Sequence, residues 1–506
     1  MTNRNKFFLN GITLSAVGLS IRTVGLIFGA FVSRSIGAEG MGLYTLVMTV
    51  YSFAVTLATS GIGLTVTRLV AAAIGEGRRD EVGRILRGAV IYALMFSLAS
   101  SIILGMGATL LSYRVVRDLR SVRALRILSL SLVPVALSAV FSGYFVGIKR
   151  VSANAAVQVV SQLVKVGVTV LLVTRATRHG TAAAVAALAL GIVISECVSL
   201  LMMLVQFALD RVKKETAHGA PSLSAVSGMA LPLAFSAYIR SGLLTLEHVL
   251  IPKRLSDSGK DASESLASYG ALHGMALPLV LYPMSPLSSF SGMLVPEFAG
   301  SEGAEHRLRR ITGEVLNTTL AYAVAVAVFL YVFSEELGYV IYHSYDAGVY
   351  IALVAPIVPI MYLDHVTDSM LKGIGEHVYS MWVNISDSLL SVVLVWTLIP
   401  RLGVAGYALV IIIMELYNFG LSLFRLRGRI RFSVSPYSAL LIPAFASFAS
   451  AYLSKRLFIM NGTATTPVWL ILKIVFAASV FLGLFMLMRL PLLGKSEKSE
   501  NTVDMY

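Results

Sequence analysis

Residues 19–71 read LSIRTVGLIFGAFVSRSIGAEGMGLYTLVMTVYSFAVTLATSGIGLTVTRLVA. Two apolar runs flank the glycine-rich stretch RSIGAEGMG at 34–42, and each exceeds the about 20 residues that a helix needs to cross a ~30 Å hydrocarbon core. Each run also carries an arginine, Arg22 in the first and Arg68 in the second. A charge at the bilayer centre costs about 2.5–3.5 kcal/mol, so a bare anchor gains nothing from either. Charge at that depth calls for a protein-lined, water-containing space.

The pattern continues along the chain. With 57% hydrophobic residues, 13% charged residues and a mean hydropathy of +0.80, a chain of this length lacks the polar surface of a water-soluble protein. About fourteen apolar segments follow one another, which predicts an all-α polytopic membrane protein of two six-helix lobes plus two C-terminal helices. The first segment is too long for a signal-peptide core and has no small-residue cleavage pattern, so it is expected to stay in place. The single Cys197 sits in an apolar run and excludes an intrachain disulfide or a cysteine-rich metal site; a small core residue is its expected role.

Polar stretches divide the chain. The expected parts are an N-lobe over 1–209, a cytoplasmic linker over 210–224, a C-lobe over 225–431, a last helix pair over 432–492 and a polar tail over 493–506 without fixed structure. Most of the 41 Lys and Arg fall in loops on the amino-terminal side, which places both termini in the cytoplasm. Arg114, Arg117, Arg120, Arg123 and Arg126 oppose that trend, and their spacing of three would spread them around a helix. The lobes look internally related. Gly147-Ile148 recurs as Gly373-Ile374, Asn154 as Asn384, and one acid stands in each following span, Glu196 in ISECVSL and Glu415 in IMELYNF. Six spans per lobe would make these parallel repeats, an arrangement in which transporters place substrate at the repeat interface.

Helical spacing shows which polar groups share a face. Gln158, Gln162 and Lys165 follow at i, i+4 and i+7; Arg240 and Glu247 are seven apart; Asp364, Asp368 and Lys372 follow at fours. Clustering such stripes around water is cheaper than giving each its own defect in lipid. Arg22, Arg68, Lys165 and Arg240 are four intramembrane cations and point to an anionic ligand, since guanidinium groups bind phosphate through paired, charge-assisted hydrogen bonds. Gln158, Gln162, Glu196, Glu247, Asp364, Asp368, Asn384 and Glu415 are the candidate coupling or cavity polar groups. Lys473 is expected to snorkel to the interface or bind a neighbouring carbonyl. Pro278, Pro283, Pro286, Pro356 and Pro359 predict kinks in the eighth and tenth spans.

The opening stretch at 19–71, IPKRL at 251–255, YGALHGMALPLVLYP at 269–283, LVPEFA at 294–299 and DSMLKGIGEHVYSMWVN at 368–384 together resemble the multidrug/oligosaccharidyl-lipid/polysaccharide (MOP) flippase superfamily. The likeness is to its polysaccharide-biosynthesis and stage V sporulation protein B-like branch, related to the lipid II flippase. It implies two six-helix lobes that open a central cationic cavity alternately to each membrane face and move an undecaprenyl-diphosphate-linked saccharide. Arg22 matches the cavity arginine of the lipid II flippase's Ser-Arg-x-x-Gly stretch, with Ile21 in place of the serine. That flippase's second arginine is replaced within Leu26-Ile27-Phe28. Its sodium-site pattern is not clearly reproduced, because Asn384 and Asp387 have a different spacing.

The expected activity is therefore alternating-access export of a polyprenyl-diphosphate-linked saccharide across the cytoplasmic membrane. It needs no enzyme chemistry, cofactor, metal or nucleic acid; the partners are the lipid-linked saccharide and membrane lipids. A cation-coupled multidrug antiporter of the same superfamily would favour an acidic cavity, and the buried acids keep it open as an alternative. A membrane glycosyltransferase or polymerase would need a larger catalytic loop than any found here. The identity of the sugar, the coupling ion and the oligomeric state are not encoded in any motif.

Overall fold

The computed structural model describes residues 3–209, 222–300, 305–460 and 466–503, and these are almost entirely helical, with no strand among them. The chain packs into two compact units, Met1–Gly270 and Ala271–Tyr506. The first holds α1 (Asn3–Thr59), α2 (Ile62–Gly75), α3 (Arg79–Leu111), α4 (Val122–Ser129), α5 (Leu132–Gly147), α6 (Val151–Ala176), α7 (Thr181–Leu209), α8 (Leu223–Asp257) and α9 (Ala262–Tyr269). The second holds α10 (Leu277–Leu281), α11 (Ser285–Ala299), α12 (Glu305–Val332), α13 (Ser334–Tyr342), α14 (Tyr345–Val354), α15 (Val358–Gly373), α16 (His377–Arg429), α17 (Ile442–Met460) and α18 (Pro467–Val503). Helix α8, which follows the 210–224 stretch, packs on α1, α2 and α3 in the first unit. Residues 210–221 of the expected linker lie outside the described residues.

The polytopic all-α architecture is thus the observed one. Among the described residues ten helices are long and apolar enough to cross a membrane, or eleven when the pair 119–129 and 132–147, bent by 43°, is one span. The expected count of fourteen spans is not confirmed among the described residues. The reason lies in two glycines at which consecutive segments run together. Gly37 (φ 71°) interrupts α1 and Gly403 (φ 59°) interrupts α16, backbone conformations that cost a glycine little. At Gly403 the chain doubles back: Tyr417 Oη donates to Ser386 Oγ at 3.2 Å, and Tyr379 Oη donates to the Leu421 carbonyl at 3.0 Å. In a straight helix the second pair would be ~60 Å apart. The expected eighth span is broken where its sequence is richest in proline and glycine. A π-turn covers Gly270–Ala276 and a 3-10 turn covers Tyr282–Met284 around Pro283. A second 3-10 turn, Ala355–Ile357, marks Pro356 before α15.

In lipid the hydrophobic effect does not drive helices together, so close packing of small residues must. A Cβ on Gly270 would lie 2.1 Å from the Ala38 carbonyl oxygen, and one on Gly42 would lie 2.1 Å from the Leu266 carbonyl oxygen, so α1 and the end of α9 touch backbone to backbone. In the second unit a Cβ on Gly338 would meet Gly348 N at 2.3 Å, which fixes the α13–α14 crossing. A core around Val66, Val70, Val140 and Tyr144 holds α2, α3 and α5; another around Phe298, Leu316, Val366 and Met370 holds α11, α12 and α15.

The internal relation read from Gly147-Ile148 and Gly373-Ile374 has a backbone counterpart. After α5, Ile148 N donates to Tyr144 O and Arg150 N to Phe145 O; after α15, Ile374 N donates to Met370 O and Glu376 N to Leu371 O. Lys149 (φ 63°) and Gly375 (φ 85°) hold the left-handed position between them. This is a Schellman-type ending, which satisfies the last carbonyls of a helix and starts the next one in reverse.

Four expectations are corrected. Cys197 is exposed on α7 rather than buried in the core, because in lipid an apolar side chain needs no interior site. Lys473 does not snorkel; only 5% exposed, it is enclosed where α17 and α18 pack together and Ser454 Oγ donates to its carbonyl. The arginine row does not wind around one helix. Arg114 lies in a π-turn, Arg117 adopts φ 60°, Arg120 lies in a 3-10 turn, and only Arg123 and Arg126 lie on α4. The tail stays helical to Val503, since Lys495–Glu500 contains no helix breaker; residues 504–506 lie outside the described residues.

Candidate functional site

The four candidate cations all belong to the first unit. Arg22 on α1, Arg68 on α2 and Arg240 on α8 are exposed, and Lys165 on α6 is half-buried. Local packing sets their directions. Thr67 Oγ1, next to Arg68, donates to the Gly143 carbonyl at 3.2 Å and ties that turn of α2 to α5. Around Arg240, Tyr238 Oη donates to Ser60 Oγ, and Ser241 Oγ lies 3.2 Å from Thr56 Oγ1. These contacts anchor the residues before and after Arg240 to the first unit while the guanidinium stays accessible.

Lys165 meets an acid. It interacts electrostatically with Glu196 on α7, and Glu196 in turn with Tyr51 on α1. The Lys165 ammonium lies 6.0 Å from the Phe28 ring centroid, and Tyr51 Oη is 2.7 Å from Ser131 Oγ. This polar knot joins α1, α5, α6 and α7. Gln162 is half-buried and Gln158 is exposed on the same helix. Glu247 is drawn elsewhere, beside Tyr269 on α9, where His248 Nδ1 and Tyr269 Oη are 3.0 Å apart.

The second unit is acidic where the first is basic. Asp364 on α15 interacts with Asp368 and Lys372 on its own helix and lies within reach of Ser422; Lys372 Nζ donates to Asp368. Glu415 interacts with both Asp364 and Asp387. The Asp364 Oδ1 atom is buried and accepts no hydrogen bond from the described residues. Asn384 is turned inward on its own helix, its Nδ2 donating to the Ser380 carbonyl at 2.7 Å. Among the described residues no group of three or more His, Cys, Asp or Glu is placed to hold a metal ion.

The structure therefore gathers Lys165 with Glu196, and Asp364 with Glu415 and Asp387. Spacing revealed the Asp364–Asp368–Lys372 face, but Asp387 joins Glu415 only because the chain reverses at Gly403, which no helical periodicity records. A further network had no sequence signal. Glu376, 13% exposed at the side chain, accepts from Arg425 Nη2 at 2.9 and 3.0 Å and from Arg429 Nε at 2.7 Å. Those arginines hold its carboxyl below the usual carboxylate range, Arg425 through its hydrogen bond most of all.

The profile of a family described as polysaccharide biosynthesis protein matches residues 8–302, more than half of the chain. The chain belongs to the polysaccharide biosynthesis protein family. A second profile, MatE, matches residues 258–397, as expected for a member of the MOP superfamily of transporters and flippases. This family member is 27% identical over 419 residues to stage V sporulation protein B of Bacillus subtilis (strain 168), covering 80% of each chain. Its fold is similar to that of the lipid II flippase MurJ in an inward closed conformation, with a TM-score of 0.71 and 14% identity over 95% of this chain and 100% of that one. It is also similar to an inward-facing multidrug resistance MATE family transporter, with a TM-score of 0.66 and 16% identity over 82% and 98% of the two chains.

Proposed function

We propose that this protein is an alternating-access flippase that exports a polyprenyl-diphosphate-linked saccharide across the cell membrane. The observation that carries the reading is the presence of four intramembrane cations, Arg22, Arg68, Lys165 and Arg240, on one compact unit of a polysaccharide-biosynthesis family member. Three of them are exposed on three helices, and Lys165 interacts with Glu196 on a neighbouring helix. A diphosphate in a partly dehydrated space needs fixed positive partners, and guanidinium groups supply paired donors. The polyprenyl tail stays in lipid while the head group crosses, so no bond is made or broken. With the cell interior negative, each charge moved outward gains ~2.3 kcal/mol per 100 mV.

The orientation that goes with this reading has both termini in the cytoplasm. Labelling intact cells with an impermeant thiol reagent, after removal of Cys197, tests it with two single-cysteine variants. Ser258→Cys should react and Ser499→Cys should not; the reverse result overturns the orientation.

A second reading is a cation-coupled antiporter, favoured by the Asp364–Asp387–Glu415 group. One experiment separates the two: transport of polyprenyl-diphosphate saccharides and efflux of a cationic dye from the same proteoliposomes, with potential and ion gradients imposed separately. Saccharide flipping supports the flippase. Gradient-driven dye efflux without lipid flipping overturns it.

A further inference from the structure

The arginine row between α3 and α5 takes no part in the proposed transport site, and its geometry is unlike that of ordinary snorkelling residues. Arg120 is fixed: its Nε and Nη2 donate to Asp118, and Nη2 also donates to Glu39 at 2.6 Å. Arg114, Arg117, Arg123 and Arg126 are exposed, and among the described residues none of the four forms an ion pair with an acid. On α4, Ala124, Leu125 and Leu128 are fully buried and turn that side of the helix into the first unit. The opposite side carries Arg123, Arg126, Ile127 and Leu130 at i, i+3, i+4 and i+7, one continuous face.

That face lines an open groove of about 600 Å³, which the acid-paired Arg120 and Ala182 in the first turn of α7 also border. The groove is graded along its length. Arg123 and Arg126 stand at the end nearer the α3–α4 connection, while Ile127 and Leu130 continue toward α5. Leu130 is 64% exposed and Leu119, beside the arginines, is 61% exposed, so the apolar walls are open to whatever surrounds the protein. Arg126 Nη2 donates to Thr109 Oγ1 at 3.1 Å, which holds one guanidinium in place and leaves donors free.

We infer that the α4–α7 groove is a binding site for an anionic phospholipid, with the phosphate on Arg123 and Arg126 and an acyl chain along Ile127 and Leu130. Two cations at one end of an apolar trough match the polarity of such a lipid and not that of a zwitterionic one, whose own cation would face the arginines. A soluble phosphate would use the arginines and leave the apolar wall without a role.

The test uses the full-length protein purified from vesicles of phosphatidylcholine doped with phosphatidylglycerol, followed by quantification of co-purifying lipid by native mass spectrometry. Wild type should retain phosphatidylglycerol over phosphatidylcholine. Arg123→Gln with Arg126→Gln should lower that preference by roughly fivefold per arginine, the factor expected for one basic side chain at an anionic surface. The paired Lys variants should keep most of it. Leu130→Glu, which leaves both arginines in place, should also lower retention. Arg309→Gln with Arg431→Gln, two cations of the second unit, should leave it unchanged. The inference is overturned if the α4 variants retain as much phosphatidylglycerol as wild type, or if the second-unit pair removes as much as they do, which would make the attraction non-specific. Displacement by soluble glycerol phosphate at concentrations as low as those of the lipid would overturn the lipid assignment.

Discussion

The α5–α6 and α15–α16 connections share one backbone, yet the two units built around them carry opposite charge inside the membrane. In the first unit Lys149 and Arg150 occupy the turn, and Arg22, Arg68, Lys165 and Arg240 outnumber Glu196 and Glu247 in the spans. In the second, Gly375 and Glu376 occupy the turn, and Asp364, Asp368, Asp387 and Glu415 the spans, with Lys372 paired to Asp368. A backbone repeat fixes where helices reverse, whereas chemistry is set by a few side chains that packing leaves free to differ. On the proposed reading the first unit holds the anion, and the acids of the second hold protons or cations or only offset charge.

The comparison breaks most visibly if charge in the first unit is reversed. Arg240→Glu should lower saccharide flipping by at least about a hundredfold, because it removes a charge-assisted interaction worth about 1.5–3 kcal/mol and adds repulsion toward the diphosphate. Arg68→Glu should act in the same direction. Expression, insertion and thermal stability should remain near wild type, since both residues are exposed. Wild-type flipping by both variants would reduce these arginines to structural groups and end the assignment of the anion to the first unit.

A second difference concerns how each unit is held together. Gly270→Ala places a methyl group 2.1 Å from the Ala38 carbonyl oxygen, and Gly338→Ala places one 2.3 Å from Gly348 N. Backbone cannot yield as a flexible side chain can, so each should destabilise by about 1–3 kcal/mol, the usual range for overpacking. Thermal unfolding in detergent is the measurement. Equal losses would show that both units depend on backbone-to-backbone helix crossings. A loss confined to one would show that the other can slide.

How much of this was legible in sequence follows from what each feature depends on. Apolar length is local, so the membrane helices could be read directly, whereas nothing in the reading of the sequence singled out Gly37 or Gly403 as the points where the backbone breaks. Pro283 and Pro356 marked breaks, because a missing backbone donor acts on its own turn. The Asp364–Asp368–Lys372 face was readable by periodicity. The meeting of Asp387 with Glu415 was not, since it depends on which residues stand level across a hairpin. The Glu376 network depends likewise on where the end of α16 returns. The burial of Lys473 depends on how α17 meets α18, and hydropathy treats both faces of a helix alike.

The acids of the second unit give a smaller and more diagnostic effect. If Asp364, Asp387 and Glu415 only offset cations, Glu415→Gln and Asp364→Asn should leave saccharide export within about fivefold of wild type, ~1 kcal/mol on the transport step, with its response to membrane potential intact. If they take up a coupling cation, neutralising them removes the charge that the cation would balance, and the response to a proton or sodium gradient should vanish while the response to potential remains. Measuring both responses in one set of vesicles tells whether the acidic unit drives transport or merely balances charge.

The smallest expected effect lies at the matched turns. Arg425 and Arg429 depress the Glu376 carboxyl below its ordinary value. A group whose pKa is lowered on folding stabilises the protein above its unfolded pKa, and that stabilisation is lost as pH falls through the lowered value. Solvent screening of the exposed arginines keeps the contribution within about 1 kcal/mol. Wild type should therefore unfold at a slightly higher temperature than Glu376→Gln at neutral pH, and the two should converge as the pH is taken below the ordinary carboxylate range. Lys149→Gln, at the equivalent turn of the first unit, should shift stability by the same amount across that window, because a lysine does not titrate there. A pH-independent gap for Glu376→Gln would mean that the glutamate acts through packing of the turn rather than through its charge, and the two connections would then differ in sequence without differing in electrostatic role.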